Sequence, residues 1–438
     1  MRKEELLNKL YKNNKTKIKK KHNYLQNEKL KIIGITGSHG KSTVAYLLNE
    51  YLKKLGYKTI LYSSIMIDSS TSIYINNIST EVPINNEVML YHALEEAVNT
   101  SSDYLILEVN DSTINKGICD ELDFDIKVLT NIEPLENQMF ENYVDLKKQF
   151  ITQGNHKKII GLVSDVTIDL YHKIVDNDVI TYTTEYFLEN KNINENDVLF
   201  YLKPNNNKYH SFSGLDFEVV NKNETYKVKT NLNMPFHGLN ILCLITLIDT
   251  LNVFDKHIFK EFIKNVTIPG RDELIKYKNG YVMISSGSIP QLEVLADYRN
   301  KNEISKITLI TGSTGNVFPT WNEEYTSQKY IDQMDYDMRF AYNYAIKYAD
   351  EIIITANDPG NNDLKELLTK QEELIKGKIK YKVIESRQDA IHYALDNIKP
   401  KEVVFISGRG NRELMCENNA IKKHLDKNVV VNYSNGGK

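Results

Sequence analysis

Lys31-Ile-Ile-Gly-Ile-Thr-Gly-Ser-His-Gly-Lys-Ser-Thr43 is the stretch of this 438-residue chain on which the fold depends. Its apolar first half predicts a buried strand, and its second half, Gly37 to Gly40, predicts a glycine turn. A helix is predicted to begin at Lys41, because apolar residues recur at helical spacing, namely Val44, Leu47, Leu48, Tyr51, Leu52 and Leu55, and Gly56 follows as a stop signal. The next run, Lys58-Thr-Ile-Leu-Tyr-Ser63, predicts the returning strand of a β-α-β unit.

A strand, a glycine turn and a helix start in this order predict a phosphate-binding loop. Glycine allows consecutive N–H groups to point into one cavity, and the helix adds its first N–H groups and the positive end of its dipole. Lys41 supplies a mobile charge for the β and γ phosphates, and the Ser42 hydroxyl is a candidate Mg²⁺ ligand. The predicted nucleotide-binding residues of this loop are Gly37, Ser38, His39, Gly40, Lys41, Ser42 and Thr43. The spacing is shorter than the strict Gly-x4-Gly-Lys-[Ser/Thr] loop because position 35 is Ile, and a glycine turn without a ligand is the alternative.

The composition limits the classes of protein that fit. A chain of 438 residues predicts two or three domains, and a formal charge of -3 argues against a general nucleic-acid binder. The cysteines Cys119, Cys243 and Cys416 match no disulfide or zinc spacing, which favours a reducing compartment. The sequence contains no run of 18 apolar residues and no signal-peptide pattern. We therefore expect a cytoplasmic protein without a membrane partner.

A second buried strand, Asp103-Tyr-Leu-Ile-Leu-Glu108, ends on a carboxylate. A carboxylate on the strand beside a phosphate loop is suited to Mg²⁺, because the metal must bridge nucleotide oxygens and a protein oxygen. Glu108 is therefore predicted to ligate Mg²⁺. A solvated glutamate at a strand end is the alternative.

The loop sequence resembles the ATP loop of the Mur ligase superfamily, in the stretch Gly34-Ile-Thr-Gly-Ser-His-Gly-Lys-Ser-Thr43. The resemblance is greatest to the members that add the third residue of the muropeptide. Other landmarks follow in the family's order over roughly residues 30–415. The resemblance implies that Asn131 and Asn240 lie at the nucleotide. In Ile268-Pro-Gly-Arg271-Asp-Glu273 it implies that Arg271 is a catalytic cation, which would stabilise charge on the transferred phosphoryl group.

The resemblance also implies a second metal ion. Glu136 falls where the relatives carry a metal-binding histidine, and Lys147 falls where they carry a catalytic lysine that is carbamylated. A carbamate turns a repelling cation into a metal ligand. The implied metal ligands are thus Ser42, Glu108, Glu136 and Lys147, and a solvated lysine is the alternative for position 147.

The fold class predicted is α/β, with a P-loop parallel-sheet ATPase domain that carries added antiparallel strands, followed by a Rossmann-like α/β domain. We expect a basic arm at 1–30, a central ATP-binding domain at 31–267 with antiparallel strands between 179 and 230, and a C-terminal domain at 268–438. In the last domain the patterns predict strands at 281–285, 306–311, 351–355, 379–384 and 402–407, and helices near 291–300, 336–348, 364–375 and 387–398. Only about thirty residues precede the ATP loop, so the UDP-binding domain of the muropeptide ligases is expected to be absent.

The loops that bind the amino acid in the family differ most in this chain. Ser285-Ser-Gly-Ser-Ile-Pro290 replaces Asp-Tyr-Ala-His-Thr-Pro, and Thr314-Gly-Asn-Val-Phe318 replaces Gly-Gly-Asp-Arg-Asp. Asn357-Asp-Pro-Gly360 replaces Asp-Asn-Pro-Arg, and Gly408-Arg-Gly-Asn-Arg-Glu413 replaces Gly-Lys-Gly-His-Glu. Without an arginine at position 360 a diaminopimelate carboxylate loses its bidentate partner, so we expect a different amino acid.

The activity that the resemblance implies is ADP-forming amide ligation. A carboxylate takes the γ-phosphoryl group of ATP, an amine attacks the acyl phosphate, and phosphate leaves. The expected cofactors are ATP and Mg²⁺, and the expected partners are a small-molecule or peptide-like carboxylate and an amino acid or amine, not a nucleic acid. Two alternatives remain open, namely a nucleotide-binding partner protein that has lost catalysis and an unrelated phosphate-loop kinase.

Overall fold

A computed structural model describes residues 30–68, 73–75, 84, 87–120, 122–133, 142–174, 178–191, 193–205, 209–287, 289–315, 328–360, 362–417 and 420–434. The predicted basic arm up to residue 29 and the predicted metal ligand Glu136 lie outside the described residues.

The first large sheet is built around the strand that precedes the glycine turn. In chain order its strands are β1 (Lys31–Thr36), β2 (Thr59–Tyr62), β3 (Met66–Asp68), β4 (Ile73–Ile75), β5 (Tyr104–Glu108), β6 (Ile126–Leu129), β7 (Lys157–Gly161), β8 (Val179–Thr184), β9 (Phe200–Pro204), β10 (His210–Ser211), β11 (Gly214–Val220) and β12 (Thr225–Thr230). The order across the sheet is β10-β11-β9-β8-β7-β6-β1-β5-β2-β3-β4, with β12 paired to β11. Because β1 runs parallel to both β5 and β6, the carboxyl ends of the three strands meet at one edge.

The prediction of antiparallel strands over residues 179–230 is partly wrong. Strands β8 and β9 continue the parallel sheet from β7, and only β10, β11 and β12 are antiparallel additions. A short helix, Glu185–Asn190, lies in the connection between β8 and β9. That crossover is long enough for the chain to return in the same direction, which a tight hairpin does not permit.

Helices cover both faces of this sheet. The helices are α1 (Lys41–Lys54), α2 (Glu87–Asn99), α3 (Asp111–Asn115), α4 (Tyr143–Thr152), α5 (Asp165–Lys173), α6 (Glu185–Asn190), α7 (His237–Thr250) and α8 (Lys256–Lys264). Helices α1 and α7 pack together on one face, in an apolar cluster that includes Ile33, Leu48 and Leu244. The other face holds a separate cluster in which Leu94 of α2 packs with Leu105 of β5. Burial on both faces explains the apolar sequences of the central strands.

The second large sheet follows in the chain. Its strands are β13 (Glu273–Tyr277), β14 (Gly280–Ser285), β15 (Lys306–Thr311), β16 (Glu351–Ile354), β17 (Lys380–Val383) and β18 (Glu402–Ser407), in the order β13-β14-β18-β15-β16-β17. All pairs are parallel except the hairpin of β13 and β14. The flanking helices are α9 (Ile289–Asn300), α10 (Gln328–Tyr348), α11 (Leu364–Ile375), α12 (Arg387–Asn397) and α13 (Asp426–Ser434), and a hairpin of β19 (Leu414–Glu417) and β20 (Ala420–Lys423) precedes α13.

The predicted α/β fold class is confirmed, with a parallel sheet in each half of the chain. The exact domain boundaries stay a prediction. Among the described helices, none combines the length and the apolar character needed to cross a bilayer.

Candidate active site

The glycine turn lies between β1 and α1 and takes backbone conformations that require glycine. Gly37 has φ +147° and Gly40 has φ +84°. A Cβ atom on Gly37 would lie 1.9 Å from Thr130 Oγ1, and one on Gly40 would lie 2.3 Å from Asn240 Oδ1. Gly40 is also the N-cap of α1, where it supplies no side chain to the first N–H groups of the helix. The positive φ angles and the close approach of neighbouring side chains together explain why positions 37 and 40 carry glycine.

Residues at the end of β6 hold the turn in shape. The Asn131 side chain accepts from the His39 N–H at 3.0 Å and donates to the His39 carbonyl at 3.2 Å. The Asn131 carbonyl accepts from the Ser38 N–H at 3.1 Å, and the Thr130 hydroxyl donates to the His39 carbonyl at 2.6 Å. Asn131 therefore shapes the loop backbone in this structure, and a direct contact with the nucleotide stays a prediction.

His39 lies on the outer side of the loop. Its Nε2 atom is 3.3 Å from Glu133 Oε2, and more than half of each side chain is exposed. A hydrogen bond from His39 lowers the pKa of Glu133 below its ordinary value. This pair faces solvent beside the glycine turn.

Lys41 folds back over the loop. Its ammonium group donates to the Gly37 carbonyl at 2.9 Å and to the Ser38 carbonyl at 3.3 Å. These contacts hold the cation against the same turn whose N–H groups would bind an anion. The Thr43 side chain, by contrast, is buried in the first turn of α1.

A cluster of hard oxygen atoms lies next to Lys41. The Ser42 hydroxyl donates to Glu108 Oε1 at 2.9 Å, and the Ser64 N–H donates to Glu108 Oε2 at 2.7 Å. The two hydroxyls of Ser42 and Ser64 are 2.7 Å apart. A buried carboxylate and two hydroxyls match the ligand preference of Mg²⁺, so these residues fit the predicted ion.

Ser64 was not predicted from the sequence. It follows β2, which is paired in parallel with β5, and so it reaches the sheet edge where Glu108 ends its strand. Its position just after β2 would have indicated it, because β5 alone separates β2 from β1 in the sheet. Sequence alone does not give that strand order.

Lys147 is fully buried, so the alternative of a solvated lysine is wrong. Its ammonium group donates to the Gly37 carbonyl at 3.0 Å, pairs with Asp111, and lies 4.4 Å from the centre of the Tyr143 ring. Burial, followed by the charge of Lys41, lowers the pKa of Lys147 to about 8, against the opposing effect of Asp111.

The second metal site stays a prediction. No group of three or more histidine, cysteine or acidic side chains suited to a metal occurs among the described residues. Lys147 instead presents a cation that is already paired with Asp111, and carbamylation would have to displace that pairing.

Arg271 reaches this cluster from the segment between α8 and β13. One guanidinium nitrogen donates to the Ser64 hydroxyl at 3.1 Å, and the other donates to the Ser286 hydroxyl of the second half. Ser64 in turn contacts Glu108, so Arg271 lies one side chain away from the oxygen cluster. The structure therefore brings Arg271 and Glu108 close together through Ser64, and the roles predicted for the two residues stay predictions.

The altered loops of the C-terminal half approach the same place. Asn411 donates to the carbonyl of Ile65, directly after Ser64. Asp358 forms ion pairs with Arg409 at 3.0 Å and Arg412 at 3.4 Å. Arg409 is buried, so the guanidinium in the loop Gly408 to Glu413 serves this internal network.

Comparison with known proteins shows which family this chain resembles. Residues 35–248 match the family model of the Mur ligase middle domain. The UDP-N-acetylmuramoyl-L-alanyl-D-glutamate–2,6-diaminopimelate ligase of Caldanaerobacter subterraneus subsp. tengcongensis is 26% identical over 393 residues, covering 87% of this chain and 73% of that protein. The ligase of the same name from Helicobacter pylori is 27% identical over 412 residues, covering 92% of this chain and 84% of that protein.

Solved structures share the fold. The MurF ligase of Thermotoga maritima in complex with ADP superposes with a TM-score of 0.59 at 15% identity, covering 90% of this chain and 79% of that one. The folylpolyglutamate synthase of Thermotoga maritima superposes with a TM-score of 0.58 at 16% identity, covering 90% of both chains.

Proposed function

This chain belongs to the Mur ligase superfamily, and on that premise we propose that it is an ATP-dependent, ADP-forming ligase that joins a carboxylate to an amine through an acyl phosphate. The observation that carries the proposal is the convergence of Lys41, Ser42, Glu108 and Arg271 at one sheet edge. These residues come from three separate parts of the sequence. A phosphate loop alone occurs in many proteins, but an arginine from the following domain beside its metal-ligand pair supports phosphoryl transfer.

Each of these side chains has a role that its position supports. The turn from Gly37 to Gly40 and the start of α1 would bind the phosphates through N–H groups, and Lys41 would neutralise their charge. Ser42 and Glu108, with Ser64, would hold Mg²⁺, which when bound neutralises charge on the phosphoryl oxygens. Arg271 would stabilise charge that develops during transfer to the acceptor carboxylate. Asn131 and Asn240 would shape the nucleotide pocket.

Lys147 and Glu136 are proposed to complete a second metal position. For Lys147 the supporting property is its pKa of about 8, because a neutral amine is the form that reacts with carbon dioxide to give a carbamate. Asp111, which pairs with Lys147, provides a further carboxylate at this place.

The substrates proposed are a small-molecule or peptide-like carboxylate and an amino acid or amine other than diaminopimelate. Position 360 is glycine, and the nearby Arg409 is engaged internally with Asp358, so neither supplies a free guanidinium for a distal carboxylate. We propose that the reaction takes place in the cytoplasm, where ATP is supplied.

The test is a ligation screen with a matched pair of variants. Purified protein receives ATP, Mg²⁺, mixed amino acids and candidate carboxylates, and ADP, phosphate and condensed product are measured by mass spectrometry. Lys41→Ala is expected to abolish product, whereas Lys54→Ala, an exposed lysine at the other end of α1, is expected to leave it unchanged. ADP formation that persists in Lys41→Ala would contradict the proposal.

A partner protein that binds nucleotide without catalysis is the second candidate, and the altered loops of the C-terminal half favour it. Saturable binding of ATP and Mg²⁺ with no condensed product across broad substrate panels would support this candidate instead.

A further inference from the structure

A buried histidine and aspartate join the start of α7 to the segment that carries Arg271. His237 Nε2 lies 3.1 Å from Asp272 Oδ2, and the two side chains are 2% and 4% exposed. Asp272 directly follows Arg271, and His237 lies one helical turn before Asn240. The pair therefore links two predicted nucleotide-site residues across the junction between the halves of the chain.

On its other side, His237 contacts the residue that touches the glycine turn. Asn240 Nδ2 is 3.3 Å from His237 Nδ1, and an amide NH₂ group only donates, so Nδ1 is the acceptor. In the neutral imidazole the proton is then on Nε2, which faces Asp272. Asn240 Oδ1 lies where a Cβ atom on Gly40 would be only 2.3 Å away. Contacts thus run without a gap from Gly40 through Asn240 and His237 to Asp272.

The backbone of Asp272 is held in an unfavourable conformation. Its φ of +59° is in the left-handed region, which glycine or asparagine adopts more readily than aspartate. Aspartate tolerates this region better than most residues with a side chain, so the backbone permits an aspartate at this position without requiring one. The carboxylate itself supplies a reason, because it faces His237.

The contact between the two side chains is incomplete in this conformation. Within the part of the chain that the structure describes, neither His237 Nε2 nor Asp272 Oδ1 has a partner with hydrogen-bond geometry. Both atoms are buried, and buried polar atoms are normally satisfied. Alignment of the His237 N–H group with the Asp272 carboxylate would give the imidazole its missing partner.

The segment between α8 and β13, residues 265–272, carries Arg271 and is called the linker here; it is anchored on both sides. The Glu273 carboxylate accepts from the Gly270 N–H at 3.3 Å and pairs with Lys427 of α13, so it holds the linker to the C-terminal half. Asp272 faces the opposite way, toward α7 of the first half. Arg271 lies between these two anchors, with its guanidinium on Ser64.

We propose that the His237–Asp272 pair positions Arg271 in response to the state of the phosphate loop. This rests on the proposed function, since it concerns the same loop and arginine. A bound triphosphate moves the Gly40 turn against Asn240, and His237 follows and donates to Asp272. The linker is then held so that Arg271 keeps the contact with Ser64 that it already makes in this structure. His237 and Asp272 are positioning residues, because they act through Arg271.

The test separates positioning from folding. Asp272→Gly removes the carboxylate and accepts φ +59° without strain, and Asp272→Asn keeps the shape and the left-handed tolerance. Both variants are expected to bind ATP within about threefold of the wild type, by calorimetry, while kcat for ADP formation falls about tenfold or more. His257→Asn, in an exposed pair with Glu261 at 3.9 Å, is the control and is expected to change neither value.

A double variant shows whether the pair acts through Arg271. If it does, Arg271→Ala combined with Asp272→Asn is no slower than Arg271→Ala alone. Additive losses of rate, or an unchanged kcat in both Asp272 variants, would overturn the proposal. A purely structural role would lower the melting temperature and raise KM without this non-additivity.

Hydrogen exchange makes the test independent of turnover. ATP with Mg²⁺ is expected to slow exchange of the amides at 271–274 in the wild type and in His257→Asn, but not in Asp272→Asn. If the wild type ligates no substrate, the proposed function fails. The exchange measurement still shows whether nucleotide at the phosphate loop affects the segment that carries Arg271. Equal protection in Asp272→Asn, or none in the wild type, would refute it.

Discussion

The hydroxyl of Ser42 donates a 2.9 Å hydrogen bond to Oε1 of Glu108 and so joins the first turn of α1 to the end of β5. The register of the sheet explains the contact, because Ile35 of β1 is paired with Glu108. Residues just beyond Ile35 and Glu108 therefore share one edge. A carboxylate that already contacts the loop hydroxyl is suited to share a metal ion with it.

Glu108→Gln tests this assignment. Glutamine keeps the volume and can still accept from Ser42, but it removes the charge that a hard cation requires. We expect the Mg²⁺ concentration needed for ATP binding to rise by about tenfold or more. The measurement is calorimetric titration of ATP at a series of Mg²⁺ concentrations.

The control is Glu366→Gln, an exposed residue of α11. It is expected to leave the Mg²⁺ dependence unchanged. An unchanged dependence in Glu108→Gln as well would show that this carboxylate does not hold the ion.

Gly40→Ala tests the shape of the phosphate loop. The new Cβ atom would lie 2.3 Å from Asn240 Oδ1 at a φ of +84°. We expect ATP binding to be lost and the free energy of unfolding to fall by about 1–3 kcal/mol. Gly56→Ala is the matched control, since Gly56 has φ +89° but nothing within 4 Å of its added Cβ. That variant should lose about 1 kcal/mol and bind ATP normally. Equal losses of ATP affinity in both variants would contradict the interpretation.

Two buried lysines predict an unusual pH dependence of stability. Burial lowers the pKa of both Lys127 and Lys147 from the ordinary 10.5 to about 8. Between these values the unfolded chain binds more protons than the folded one, so the free energy of unfolding rises with pH. Each lysine contributes up to about 3 kcal/mol to this rise.

Lys147→Met is therefore expected to make the stability less dependent on pH from 8 to 10, as measured by urea unfolding. Lys157→Met, at an exposed position, is the control and should keep the full rise. The window ends near pH 10 because buried tyrosines such as Tyr143, with a raised pKa, then oppose the trend. A wild-type stability that falls steadily from pH 8 to 10 would contradict the prediction.

The local sequence pattern was enough to predict most of the helices and strands, but not which of them lie next to each other in the fold. Helix α11 runs from Leu364 to Ile375 as predicted, because its apolar spacing and its Asp363 N-cap are both local signals. The direction of β8 and β9 was predicted wrongly, because alternation indicates a strand but not which strand it pairs with or in which direction. Ser64 was missed for the same reason, since its contact with Glu108 spans 44 residues.

Residues that depart from the family pattern were the hardest to place. The sequence indicated that the loop at Asn357–Gly360 is altered, and the structure shows that Asp358 there forms an internal network with Arg409 and Arg412. The burial of Lys147 and its pairing with Asp111 also depend on packing between distant elements. Such pairings follow from tertiary structure, and no local signal predicts them.

A buried ion pair in the C-terminal half gives the last prediction. Arg387 and Asp426 are both fully buried, with two hydrogen bonds of 2.8 Å between them. Arg387 also donates to the Ser407 carbonyl at 2.9 Å, at the end of β18. Burial alone would raise the pKa of Asp426, but the charge and hydrogen bonds of Arg387, with His424, outweigh it and hold that pKa well below its ordinary range.

Asp426→Asn leaves the guanidinium of Arg387 buried without its counter-charge, so we expect a loss of about 3–5 kcal/mol in urea unfolding at pH 7. Asp335→Asn, in an exposed pair with Arg339, should lose less than about 1 kcal/mol. Because the folded pKa of Asp426 is lowered, its contribution is present above the unfolded pKa of about 4 and is lost as pH falls below it. The gap between the wild type and Asp426→Asn should therefore narrow in acid. The double variant Arg387→Met with Asp426→Leu should recover most of the stability, because both buried charges are then removed. A double variant as unstable as Asp426→Asn would show that packing, and not charge, causes the loss of stability.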